Sequence, residues 1–249
     1  GILVGDRLVQ TTSPFIPTKL AELLGAKVYS SNYSEMIFPN KHPNYINNLK
    51  LGFNSSDEFE EFDTVLAVGG LPRVSYMFSN PKMRIFNPES NLIHIDNDPA
   101  QVGTTEKTDI GILADPSVAL DKLTAKVEEL LTGNQLEYFN AKNHELKKEK
   151  EQLEIKNTKE LNKDYSKNPM SPDRMISEIT NAIPEDTIIV NDAVTTSNSI
   201  FKFMNFEKEN SIFGGRGGSL GWGMGGALGV KLAFPDRHVV ALVGDGTGM

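Results

Sequence analysis

Nine of the sixteen residues from 214 to 229 are glycine, yet Trp222, Met224 and Leu228 lie within the run, and Val230, Leu232 and Ala233 follow it. Glycine costs roughly 1 kcal/mol relative to alanine at each interior helix position. A glycine run that must still pack belongs where backbone closely approaches backbone or a ligand: a helix pressed against a sheet, or the wall of a binding site. Further on, the apolar stretch 239–243 runs into Gly244, Asp245 and Gly246. Its lack of alternation predicts a strand buried on both faces, as in parallel sheets, where ligands collect at the carboxyl edge. At that edge Asp245 offers a hard oxygen donor to a cation such as magnesium, although Gly-Asp-Gly reads equally as a plain turn.

The 249 residues suffice for two domains, each with its own core. A net charge of −8 argues against a nucleic-acid surface. With no cysteine there is no disulfide framework, thiolate zinc site or cysteine nucleophile. No stretch approaches the ~20 apolar residues that span a bilayer, and the start reads as a strand rather than a signal sequence, so a cytoplasmic protein without a membrane partner is expected. Because the chain starts without methionine, in mid-strand, and stops just past Asp245, it is expected to be a piece of something longer.

Residues 1–133 alternate short apolar runs (2–4, 27–29, 64–68, 91–95 and 110–113) with helical stretches at 18–24 and 116–131. This predicts a doubly wound parallel sheet, a Rossmann-like domain. The glycines at 69 and 70 do not form the dinucleotide fingerprint. Residues 134–168 carry eight lysines and seven acidic residues with few apolar ones, which predicts an exposed helical connector. A second α/β domain occupies 169–249. It opens with a helix capped by Ser171 with Pro172 at its first position; a strand at 187–190, a helix over about 196–204, a strand at 211–213 and the terminal strand follow. If this sheet is also parallel, the segments after its strands (191–196, 214–220 and 244–247) meet at one edge. Hydroxyls of Thr195, Thr196 and Ser197 can then reach phosphate oxygens, although the same residues also read as helix capping.

The order of the glycine run, then Phe234-Pro235-Asp236-Arg237, then strand and Gly-Asp-Gly, resembles the diphosphate-binding domain of thiamine diphosphate (ThDP) enzymes. It is most similar to the benzoylformate decarboxylase subgroup, with acetohydroxyacid synthases and oxalyl-CoA decarboxylases as relatives. Phe38-Pro39-Asn40-Lys41-His42-Pro43 extends the resemblance into the family's central domain. The resemblance implies two doubly wound parallel-sheet α/β domains, the second an incomplete diphosphate-binding domain. It implies ThDP and Mg2+ as cofactors, with Asp245 on the metal, and Thr195, Thr196, Gly246 and Thr247 on the diphosphate. Gly218 would accept from the aminopyrimidine through its carbonyl, Leu220 would wedge the cofactor into its bent shape, and His42 would be an acid/base near a small 2-oxo acid. It further implies a homodimer or homotetramer acting as a decarboxylase or carboligase, and leaves open whether FAD or ADP binds the central domain. Aspartate before proline, at Asp98 and Asp115, is expected to start helices. Two departures stand out. Gly225 and Gly226 replace the family's proline-alanine, and two parts are absent from these residues: the N-terminal glutamate that protonates the cofactor ring, and the second metal ligand, an asparagine beyond Met249. The chain alone is therefore expected not to catalyse. The alternative is a non-catalytic nucleotide-binding or regulatory module on the same scaffold.

Overall fold

A computed structural model describes residues 1–11, 15–31, 38–49, 59–71, 85–104, 106–215 and 219–248. In chain order the elements are β1 (Ile2–Val4), α1 (Asp6–Thr11), α2 (Ile16–Leu24), β2 (Val28–Ser30), β3 (Tyr45–Asn48), β4 (Thr64–Val68), β5 (Asn91–Asp96), β6 (Ile110–Leu113), α3 (Pro116–Leu130) and α4 (Gly133–Asp164). They continue with α5 (Pro172–Ala182), β7 (Ile188–Asp192), α6 (Ser197–Phe203), β8 (Ile212–Gly214), α7 (Gly223–Ala233) and β9 (Val239–Val243). The expected pair of parallel sheets forms. One has six strands in the order β3-β2-β1-β4-β5-β6, the other three in the order β8-β7-β9, and every pairing is parallel.

Contacts divide the chain into one unit of Gly1–Asn32 with His42–Glu145 and another of Tyr33–Lys41 with Leu146–Met249. The division falls within α4, and the second unit takes in a short segment from between β2 and β3. In the first unit, β1 and β4 meet where the strand order reverses. Gly69 lies there at φ 72°, and a Cβ on it would come 2.5 Å from the Leu8 amide nitrogen, so only glycine fits. Among the described residues, Phe59 and nine other buried side chains form a core cluster in this unit, the Phe59 ring 4.7 Å from that of Tyr29 and 5.1 Å from that of Phe86.

Local rules explain several helix ends. Asp115 accepts from the amides of Ser117 and Val118 with Pro116 at the first position of α3, and Ser171 accepts from the Arg174 amide at the start of α5. Asp98 does not start the expected helix. Its carboxylate accepts from the Ala100 amide within a run of turns. The expectation that β9 is buried on both faces is not met: its residues are half-buried to exposed, and among the described residues it pairs only with β7.

The second unit's core joins Ile176 of α5, Ile189 of β7, Ile200 of α6 and Ile212 of β8 with Met204 and Phe206. Each of these side chains is almost fully buried, contributing about 1.5–3 kcal/mol of transfer free energy. That packing clamps α5 and α6 onto β7, the central strand, whose carboxyl end carries the candidate site. In α4, Leu146 is buried and Leu153 exposed.

Candidate functional site

Since β7, β8 and β9 are parallel, their carboxyl ends share one edge. The chain leaves β7 at Asp192, β8 at Gly214 and β9 at Val243, and each departure carries residues expected at a diphosphate site. Asp192 joins them. Its buried carboxylate accepts from the amides of Gly221 and Gly223, both at 3.0 Å, which brings the start of α7 onto the end of β7. Its carbonyl accepts from the Thr247 hydroxyl at 3.3 Å, tying in the turn after β9. The sequence marked Asp192 only as a strand end. Its partners lie 29 to 55 residues away, and no local pattern announces them.

That turn is a single 3-10 turn over Asp245–Thr247. Asp245 is exposed, and one carboxylate oxygen accepts from the Gly246 amide at 2.9 Å. Thr247 is buried, with its amide on the Gly244 carbonyl and its hydroxyl on Asp192. Both Thr247 groups thus hold the turn together.

After β7, Asn191 and Ser197 hydrogen-bond side chain to side chain at 3.0 Å, and the Ser197 hydroxyl also reaches the Ala193 carbonyl. These contacts fold the corner that presents Thr195, exposed, and Thr196, half-buried. Thr196 takes the N-cap position of α6 without a side-chain capping bond. Leu220 is 60% exposed just before α7. Beyond it the Trp222 ring lies so close to Gly215 and Gly226 that a Cβ on either would come within 2.7 Å of it. The glycine run therefore serves close packing of an indole, while Met224, Leu228 and Leu232 stay exposed. Gly218 lies outside the described residues.

The second unit thus brings together Thr195, Thr196, Leu220, Asp245, Gly246 and Thr247. His42 belongs to the first unit. Its Nε2 lies 3.2 Å from Glu22, and its Nδ1 accepts from the Asn44 amide at 3.2 Å. Among the described residues no three His, Cys, Asp or Glu side chains cluster as a metal cage, and no helix is long and apolar enough to cross a membrane.

The first unit holds a second polar centre. Arg7 grips the buried Asp96 with two bonds of 2.7 and 2.6 Å, and buried His94 lies 3.5 Å from the same carboxylate. Burial alone would raise the Asp96 carboxyl; His94, Arg7 and the Asp98 amide outweigh it and hold the carboxyl well below its ordinary range.

An acidic turn, a hydroxyl-bearing corner and a glycine-walled loop at the carboxyl edge of a parallel sheet place this unit among the α/β proteins whose ligands collect at that edge. Residues 2–123 match the family described as thiamine pyrophosphate enzyme, central domain, and residues 192–249 match its C-terminal TPP binding domain. The chain belongs to the thiamine pyrophosphate enzymes. It is 27% identical to a probable acetolactate synthase large subunit of Methanocaldococcus jannaschii, over 98% of this chain and 41% of that protein. It is 30% identical to the glyoxylate carboligase of Escherichia coli O157:H7, over 62% of this chain and 25% of that protein. The 4-hydroxybenzoylformate decarboxylase of Rhodococcus jostii RHA1 has the same fold, with a TM-score of 0.76 and 21% identity over 99% of this chain and 43% of that one. The chain spans about two fifths of the length of the acetolactate synthases it matches.

Proposed function

We propose that the protein carrying this chain is a ThDP- and magnesium-dependent enzyme that decarboxylates a small 2-oxo acid and passes the remaining acyl carbon to a proton or a second carbonyl compound. The observation that carries this reading is the convergence of Asp245, the Thr195–Thr196 corner and Leu220 at the carboxyl edge of one parallel sheet, in a chain of the thiamine pyrophosphate family.

The donor set suits the cofactor. Asp245 is an exposed carboxylate, a hard oxygen ligand, and a Cβ on either flanking glycine, Gly244 or Gly246, would meet nothing within 4 Å, so the backbone on both sides of it is open to approach. Magnesium commonly binds through one or two carboxylates plus phosphate oxygens. Asp245 would hold the metal, Thr195 and Thr196 would donate to the diphosphate, and Leu220 would support the cofactor's bent shape. Gly246 and Thr247 would contribute through the turn they build, and Gly218 through its carbonyl. When bound, ThDP supplies a carbanion that adds to the 2-oxo carbonyl and then accepts the electrons released with carbon dioxide. The residues of this chain bind and orient; the turn and corner, tied through Asp192, fix the diphosphate at two points.

The synthase and carboligase named among the sequence relatives favour transfer to a second carbonyl compound over simple protonation. The family resemblance supports a dimer or tetramer. His42 would serve as an acid/base only after exchanging its Glu22 and Asn44 partners for substrate.

Calorimetric titration of the full-length protein with ThDP, with and without Mg2+, tests this. Asp245→Ala should abolish the magnesium-dependent binding, and unchanged affinity would overturn the assignment. Assay of a 2-oxo acid panel for carbon dioxide and for acyloin products then separates decarboxylase from carboligase. Tight cofactor binding with no turnover of any 2-oxo acid would favour the non-catalytic module.

A further inference from the structure

Asn40 lies two residues before His42 in the same motif, and its surroundings are of a different kind. It belongs to the second unit and is 4% exposed. Its side-chain nitrogen donates to the carbonyls of Phe201 at 3.1 Å and Met204 at 2.9 Å, and its side-chain oxygen accepts from the Phe206 amide at 2.8 Å. The Asn40 carbonyl accepts from the Lys150 ammonium at 2.8 Å, and the neighbouring Lys41 ammonium donates to the Lys202 carbonyl at 3.2 Å. Every partner except Lys150 lies in the last turn of α6 or just past it. A helix leaves its last four carbonyls without partners inside the helix. Here a chain segment more than 160 residues away in sequence satisfies those of Phe201, Lys202 and Met204.

The chemistry selects asparagine. The site offers two carbonyls and one amide N–H, and asparagine alone among short side chains presents two donors and an acceptor in that arrangement. The rest of α6 is held elsewhere: Ser197 to Asn191 at its start, and Ser199 and Lys202 to Asp173 at 2.5 and 2.7 Å along its side. These contacts fix the position of the helix, and the Asn40 contacts fix its far end. Seven residues of helix span about 10 Å, a stiff lever with the Thr195–Thr196 corner at its other end.

We infer that Asn40 is a positioning residue for cofactor binding: as a long-range cap on α6 it sets the orientation of the Thr195–Thr196 corner. This rests on the proposed role of that corner in holding the diphosphate. The test uses the full-length protein and Asn40→Asp, which keeps size and acceptor but replaces two donors with a carboxylate facing carbonyls. ThDP with saturating Mg2+ should bind on the order of tenfold more weakly, as is common for residues that support a ligand-binding group from behind. The amides of Met204 and residues 195–197 should exchange hydrogen faster. A merely structural weakening would lower the active fraction and leave the Kd of the remainder unchanged. A folded Asn40→Asp protein with a fast-exchanging Met204 amide and wild-type affinity overturns the inference. If that variant does not fold, Asn40→Ser, which shortens the same side chain without burying a charge, decides. Weaker ThDP binding supports the inference and unchanged binding overturns it. If the wild type binds no ThDP, the proposed function fails, and exchange at 195–197 alone decides whether Asn40 orients the corner.

Discussion

Asp192 at the end of β7 and Gly223 at the start of α7 meet carboxylate to amide at 3.0 Å, so closely that a Cβ on Gly223 would lie 2.5 Å from that of Asp192. The junction accounts for one glycine of the run and sets up a comparison with another. Gly223→Ala gains about 1 kcal/mol of helix propensity but forces a clash in a packed site, for a net loss of about 1–2 kcal/mol. Gly225→Ala, where an added Cβ meets nothing within 4 Å, should instead stabilise by about 0.5–1 kcal/mol. Denaturant midpoints of the two variants check the pair, and equal shifts would contradict the geometry.

Leu220 separates folding from function. At 60% exposure, Leu220→Ala should change stability by no more than about 0.5 kcal/mol. If its side chain holds the cofactor in its reactive shape, turnover should fall about a hundredfold. Parallel melting and steady-state assays read both, and unimpaired turnover would remove Leu220 from the site.

In the first unit, Arg7→Met leaves the Asp96 carboxylate buried without its main partner and should cost about 3 kcal/mol at neutral pH. The wild-type pair has a defined pH signature. The Asp96 carboxyl is held below its ordinary value of 3.8, so the pair's contribution is complete above that pH and is lost as acid protonates the carboxylate. The gap between wild type and variant should therefore narrow between neutral pH and about pH 3, which urea melts at the two values would show.

Lys150 gives a slope of the same sign in an alkaline window. Burial, with Lys41 nearby adding to it, pushes its ammonium down to about 8 from an ordinary 10.5. The unfolded chain then holds a proton that the folded chain has released, so stability rises with pH across that window. Lys150→Met should flatten the rise, as seen in thermal melts at about pH 7.5 and pH 10 against wild type.

Much of the fold was legible because its cues are local. The strands at 2–4, 64–68, 110–113 and 239–243 stand where apolar runs predicted them, and Ser171 and Asp115 cap the helices they were expected to cap. Strand β3 was missed because Asn47 and Asn48 break any apolar pattern; its pairing with β2 makes it a strand. Strand β7 runs two residues past the apolar stretch because Asn191 and Asp192 pair with Leu242 and Val243. In the candidate site, Asp245, Thr195 and Thr196 carry chemistry in the side chain itself and could be named from sequence. Asp192 and Asn40 act through backbone groups far away in the chain, and only the folded arrangement reveals them. In the motif around His42, the ring bonds locally to Glu22 and Asn44, while its neighbour Asn40 makes the long-range bonds.

Trp222 is the only tryptophan in the sequence, and it sits within the second unit, its indole pressed between Gly215 and Gly226. Its emission therefore reports on that unit alone, whereas far-ultraviolet circular dichroism sums the helices of both. Recorded together during a melt, the two signals act as separate thermometers, and the interval between their midpoints measures how far the two units unfold as one cooperative body.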